Sequence, residues 1–190
     1  MNSFYTEIEL ISVGFKVVGE NVLISKKVSI YSAENICIGN NVRIDDFCIL
    51  SGKICIGNYV HIAPYSALYG GENGIKVDDY ANISSKITIY SISDDYSGET
   101  MTNPMIPNKY KKIQSEEVII GKHVILGSGC VVLPGVTLKE GSAFGAMTLI
   151  NKDSESWSIN AGIPFKKLKN RSKGLLKLEE EFKREQKTYE

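Results

Sequence analysis

What this chain lacks narrows it before any motif is read. It has two histidines in 190 residues, His61 and His123, so a three-histidine zinc centre is short of a ligand and no metal is expected. It has no excess charge of either sign. Lys plus Arg and Asp plus Glu number 22 each, which gives no basic field to gather nucleic acid or an anionic membrane. No apolar run reaches membrane-spanning length. The opening MNSFYTEIEL has no basic stretch followed by an apolar one, so a cytoplasmic protein is expected. The cysteines Cys37, Cys48, Cys55 and Cys130 show no CxxC spacing and are expected as reduced, mostly buried thiols.

What is present is a period of six. Leading aliphatics fall at Val18, Ile24 and Ile30, resume at Ile38 and run to Leu68, resume again at Val77, Ile83 and Ile89, and finish from Ile120 to Ile150. Four positions after most of them comes a smaller or β-branched residue, such as Val22, Val28, Val42, Cys48 and Val60. Neither the helical period of about 3.6 nor the strand period of about 2.0 generates this pattern. A unit of short strand plus polar turn does. Three units close a triangular coil, coils stack at about the inter-strand spacing of 4.8 Å, and about eighteen hexads make about six coils. The fold expected is therefore an all-β solenoid.

The register places residues on the prism. The period breaks after the third, ninth and twelfth hexads, so the insertions at Ile36–Cys37, in YGGENGI and from Tyr90 to Glu117 should leave from one corner. Function grafted on a rigid scaffold produces such a pattern. On the second face the leading residues are Ile24, Ile44, Ile62, Ile83, Leu126 and Phe144, and their neighbours point outward. The lower coils present Arg43, Asp45, His61, Asn82 and Ser84, while Ser25 is expected outward on the first coil. The upper coils present Ile125, Gly127, Ala143 and Gly145. This face is too heterogeneous for an ice-binding array. Its small upper track suits either a slim pantetheine arm or close subunit packing. At the ends, SFYTEIELISVGF and RSKGLLKLEEEFKREQKTYE read as amphipathic helices that cap the solenoid, with Gly14 as a stop. His123 reads as a surface turn residue.

The [LIV]-G-x4 hexads from Val18 to Ile150, followed by INAGIPFKKLKNR, resemble the hexapeptide-repeat acyltransferases. The resemblance implies a left-handed parallel β-helix with short N-terminal and C-terminal capping helices, where general crossover rules give a right-handed one. It implies a homotrimer with sites between subunits. It also implies one acyltransferase domain over residues 1–170, interrupted by the loop 90–117, with an amphipathic helix over 171–190. By the same resemblance Gly162 and Pro164 shape a turn. Lys166, Lys167 and Lys169 are candidates for coenzyme A phosphates, or a solvated basic linker.

Many relatives that acetylate hydroxyls carry a histidine in the loop after the equivalent of ITIY, as general base. Here ITIYSISDDYSGE has Asp94 at that position. A neutral amine is nucleophilic without a base, so the substitution favours an amine acceptor. Asp94 would hold the amino group by a charge-assisted hydrogen bond, and Ser84 would supply a second contact. Backbone N–H groups of the upper coils would stabilise the oxyanion. Asp95, Tyr96, Tyr90, Tyr65 and Asn82 are candidate substrate contacts, although the aspartates also suit a turn and the tyrosines suit packing. SDDYSGETMTNP with GIPFKKLK is most similar to nucleotide-sugar N-acyltransferases. That similarity implies an acyl-CoA donor and a nucleotide-linked acceptor such as dTDP-4-amino-4,6-dideoxyglucose, for cell-surface glycan synthesis. O-acetylation of a galactoside or polysaccharide with His61 as base stays open.

Overall fold

A computed structural model describes residues 3–189, with side chains to Gln186. The sequence-expected domain limits at Met1 and Glu190 lie outside the described residues. The chain winds as a parallel β-solenoid, left-handed as the resemblance implied. Most strands are two or three residues long because the inward aliphatic is followed at once by a turn. At the corner after the first face the turn residue sits in the left-handed region, with φ of 56° at Asn41, 55° at Tyr59, 60° at Tyr80 and 58° at His123. Bulky side chains seldom adopt that conformation, and here a repeating inter-coil hydrogen-bond pattern holds it.

Strands Leu23–Ile24, Arg43–Ile44, His61–Ile62, Asn82–Ile83, Ile125–Leu126 and Ala143–Phe144 stack in register as the second face. Their leading residues, with Val22, Val42, Val60, Ala81 and Val124 two positions before the first five, form one continuous apolar core, and buried Ser142 takes the corresponding place before Phe144. Strand Ser158–Gly162 continues this face, so among the described residues six complete coils are followed by the start of a seventh. The sequence count of about six coils falls just short of the observed solenoid. The glycine after many leading aliphatics has a steric cause. A Cβ on Gly39 would lie 2.7 Å from the Gly57 carbonyl oxygen in the next coil.

The three insertions do leave from one corner, between the third and first faces. Strands Ile49–Ile56 and Ala67–Val77 run continuously around it, with irregular pairing at Gly52 and Gly71. The loop beginning at Tyr90 leaves the coil stack there and returns at Val118–Ile120. An antiparallel pair, Ile92–Ser93 with Gln114–Ser115, pinches its neck.

The ends differ from the expectation of two capping helices. The N-terminal helix α1, Glu7–Val13, does close the first coil. Thr6 and Glu9 form a capping box, Leu10 is buried in the core, and Gly14 ends the helix at φ 82°. At the far end a hairpin of Ser158–Gly162 and Phe165–Asn170 is the plug. Buried Phe165 meets Phe144 edge-on, with ring centroids 5.4 Å apart. The C-terminal helix α2, Leu175–Tyr189, instead runs back along the corner between the first and second faces. The reason is a ladder of turn residues. Tyr59 stacks on Tyr80 at 5.2 Å and Tyr80 on His123 at 5.1 Å, giving α2 an aromatic strip to lie on. Ser25 is also not outward: it is fully buried, and its hydroxyl donates to Asp46 Oδ1 at 2.5 Å. Among the described residues no helix is long and apolar enough to cross a membrane.

Candidate active site

The loop corner encloses an open cleft of about 720 Å³. Its wall begins with the outward residues that end the third face, Ser51, Tyr69 and Tyr90, which are register partners in successive coils. Tyr69 and Tyr90 stack with centroids 5.3 Å apart and planes 13° from parallel. Burial in this stack pushes the Tyr90 hydroxyl pKa up. The opposite wall comes from the loop: Ile92, Ser93, Asp94, Asn103, Pro104, Lys111 and Ile113. Asp94 and Lys111 are the only charged residues in this lining.

The two adjacent aspartates have opposite fates. Both carboxylate oxygens of Asp95 are occupied: Ser97 N–H and Oγ donate at 2.9 Å, and Thr100 Oγ1 donates at 2.8 Å. Those hydrogen bonds, the Ser97 amide first, lower its pKa to about 2. Asp95 therefore shapes the loop as an Asx turn. The Asp94 carboxylate has no hydrogen-bond or ion-pair partner among the described residues, and only its backbone oxygen accepts from Ser93. Tyr96, grouped with these aspartates from sequence, is almost wholly exposed and outside the cleft lining.

His61 and Ser84 lie on the second face, across the prism from this cleft. Asp45 organises the lower part of that face. His61 Nε2 is 2.7 Å from Asp45 Oδ2, and Arg43 Nε donates to Asp45 Oδ1 at 2.7 Å. Burial pushes the Asp45 carboxyl up, but the His61 and Arg43 hydrogen bonds outweigh it and hold the pKa below the ordinary carboxylate value. The register sets His61 opposite Asn82 and Ala63 opposite Ser84, so His61 and Ser84 are diagonal neighbours. Asn82 also borders a second recess, of about 400 Å³, beneath α2. Tyr65 stacks on Phe47 at 5.0 Å, at the corner between the second and third faces, away from Tyr90. One chain thus places Asp94 and Tyr90 in one cleft and His61, Ser84 and Asn82 on another side.

The small-residue track and the hairpin form one continuous sheet. Strands Ile125–Leu126, Ala143–Phe144, Ser158–Gly162 and Phe165–Asn170 follow one another, with Gly127 and Gly145 just beyond the first two. A Cβ on Gly127 would lie 2.6 Å from the Ala146 nitrogen, so glycine there lets the coils approach. Gly145 is open by comparison: the nearest atom to its Cβ would be Ala161 Cβ at 3.3 Å. Gly162, at φ 114°, and Pro164 make the hairpin turn that the resemblance implied. Lys167 Nζ pairs with Glu155 Oε2 at 2.6 Å, while Lys166 and Lys169 are exposed on the same strand. Among the described residues no group of three potential metal ligands comes together.

No protein-family model matches the chain. It is 52% identical over 184 residues, 95% of each chain, to a dTDP-4-amino-4,6-dideoxy-D-glucose acyltransferase of Escherichia coli. This chain belongs to the hexapeptide-repeat acyltransferases. Among solved members, the N-acyltransferase AntD of Bacillus cereus, in complex with dTDP and 3-hydroxybutyryl-CoA, is 51% identical. The match covers 98% of this chain and 100% of that one, with a TM-score of 0.96. Structures of AntD variants D94N and S84A are similar to the same degree. A galactoside acetyltransferase in complex with coenzyme A, 22% identical with a TM-score of 0.64, shares the fold.

Three features of this acyltransferase escaped the sequence reading. Lys111 was one lysine among several in NKYKK, and only the pinched loop turns it into the cleft. Tyr69 gave one signal: it stands one coil below Tyr90 at the same position of its hexad. His123 is buried instead of surface-exposed, with Nε2 2.6 Å from Glu179 Oε2. No hexad pattern announces a contact with a helix 56 residues away.

Proposed function

We propose that this chain transfers an acyl group from acyl-CoA to the amino group of a nucleotide-linked dideoxy amino sugar, such as dTDP-4-amino-4,6-dideoxyglucose, in cell-surface glycan synthesis. The observation that carries this reading is the unpartnered Asp94 carboxylate in a nearly neutral cleft, at the loop position where the family resemblance implies a histidine in many hydroxyl-acetylating relatives. AntD was solved with S84A bound to dTDP-4-amino-4,6-dideoxyglucose and coenzyme A, which supports the same acceptor class.

The neutral amine attacks the thioester carbonyl carbon. A C–N bond forms, the carbonyl oxygen becomes an oxyanion, and the C–S bond then breaks to release the thiolate. The proton shed by the nitrogen goes to that thiolate, so no protein base is consumed. Asp94 accepts a hydrogen bond from the amino group and orients its lone pair. Ser84 supplies a second polar contact, and an upper-coil N–H faces the oxyanion. Tyr90 walls the sugar. Gly127, Ala143 and Gly145 form the pantetheine track, and Gly162 and Pro164 shape its end. Lys166 and Lys169 meet the donor phosphates, and Lys167 joins them if it leaves Glu155. Tyr96, Asp95, Tyr65 and Asn82 act as outer contacts or supports.

Because the Asp94 cleft and the Ser84 face lie on opposite sides of one prism, a site using both needs two copies. A homotrimer, with each loop beside the second face of its neighbour, meets that requirement. Both co-substrates fit a cytoplasmic location, and neither calls for a membrane or nucleic acid. Residues 1–170 with loop 90–117 form the catalytic unit, and 171–190 brace it.

The test is thiol release with acetyl-CoA and longer acyl-CoAs, including 3-hydroxybutyryl-CoA, against nucleotide-linked amino sugars and free galactosides. Absence of release with every amine acceptor overturns the proposal. The paired His61 and Asp45 favour one second reading, O-acylation with His61 as base. A large loss in His61→Ala beside a small one in Asp94→Asn would establish that reading instead.

A further inference from the structure

The loop that carries Asp94 carries three lysines close together, and only one enters the cleft. Lys109 Nζ lies 4.8 Å from the centre of the Tyr110 ring, and Lys109 and Lys112 are both exposed. Lys111 is half-buried and its backbone is fixed. Its amide donates to Asn108 O at 3.0 Å, and the residue bridges Met101. Its Nζ donates to the Asn103 backbone oxygen at 3.2 Å, and among the described residues it has no carboxylate partner. An ammonium holds three N–H donors, so two stay unused in the cleft along with the full charge.

The lining is thus a dipole. It has one unpaired carboxylate, Asp94, one unpaired ammonium, Lys111, and otherwise neutral residues. The acceptor class proposed above is a dipole too, with an amine on the sugar and a diphosphate beyond the anomeric carbon. Reversing the acceptor would set the anionic diphosphate against the carboxylate and leave the amine N–H groups without their acceptor. We propose that Lys111 binds the diphosphate of the nucleotide-linked acceptor and, with Asp94, fixes which end of the substrate reaches the thioester. Lys111 is then the residue that distinguishes a nucleotide-linked amino sugar from a free one. This inference rests on the N-acyltransferase reading. Coenzyme A also contains a diphosphate, so the test must separate the two sources.

The experiment compares wild type, Lys111→Met and Lys111→Arg, with dTDP as a binding probe and steady-state kinetics on two acceptors. Removing one charge-assisted phosphate contact should weaken dTDP binding in Lys111→Met about 10-fold by calorimetry. KM for the dTDP-linked amino sugar should rise by about the same factor, with kcat within about threefold. KM for acyl-CoA and kcat/KM for the free amino sugar should not change, and Lys111→Arg should stay within about threefold of wild type. Unchanged dTDP affinity in Lys111→Met overturns the inference, as does a rise confined to acyl-CoA KM or an equal loss on both acceptors. If wild type itself releases no thiol with nucleotide-linked amino sugars, the N-acyltransferase reading has failed. If wild type turns over and Lys111→Met matches it, only the role of Lys111 has failed.

Discussion

Two corners of the prism treat charge in opposite ways. At the helix corner Glu179 is almost fully buried and accepts from three donors: Lys122 and His123 at 2.6 Å, and Lys183 at 2.5 Å. At the loop corner the Asp94 carboxylate accepts from none among the described residues, and Lys111 Nζ holds a single carbonyl. Both corners expose aromatic ladders built from the same coil register. The first ladder is covered by α2, and the second borders an open cleft. A saturated carboxylate fixes structure, whereas an unsaturated one in a cleft is held ready for a ligand.

Substituting each carboxylate tests the contrast most directly. Asp94→Asn should lower kcat/KM for the amine acceptor by about 10²–10³-fold, with the melting temperature unchanged, because no protein contact is lost. A large drop in melting temperature would mean Asp94 is structural after all. Glu179→Gln should do the reverse. It should destabilise the protein by about 3 kcal/mol, a fall of roughly 6–12 °C in melting temperature, while the folded enzyme keeps most of its activity.

Acid sharpens the same comparison. Burial pushes the Glu179 carboxyl up, but the donors Lys122, Lys183 and His123 prevail and hold its pKa near 2, against an ordinary value of 4.5. A depressed carboxyl contributes stability above its unfolded value and loses it as the pH falls toward the folded one. Docking of α2 should therefore weaken between about pH 4.5 and 2. The only tryptophan, Trp157, lies 6.2 Å from His123, so its fluorescence reports the release. Glu179→Gln should remove that transition.

Smaller effects separate the two aspartates and the outlying histidine. Asp95→Asn keeps one acceptor oxygen and should loosen the loop locally, read as a few-fold faster proteolysis of the loop and a few-fold rise in acceptor KM. His61→Ala should change turnover least, within about threefold, if the leaving thiolate takes the proton.

Much of this was legible because the hexad is a local rule with a global consequence. Once Ile24, Ile44 and Ile62 are one coil apart, the face of every other residue follows, and so does the shared corner of the insertions. Ser25 broke the rule because the N-terminal segment crosses the first coil and buries it. The placement of α2 broke it more widely. Its contacts gather Tyr59, Tyr80 and His123 from three coils, and nothing in any one hexad encodes a partner on a helix beyond the solenoid.

The sequence by itself determined the solenoid, its register, the corner that carries the loop and Asp94 as the residue to watch. These follow from periodicity and from one residue type standing where another is expected. Only the tertiary structure decided that Asp95 is consumed by its own turn while the Asp94 carboxylate has no partner among the described residues, and that Lys111 faces the cleft. Hydrogen-bond saturation and side-chain direction depend on atoms brought together across coils and loops, and a one-dimensional pattern does not contain them.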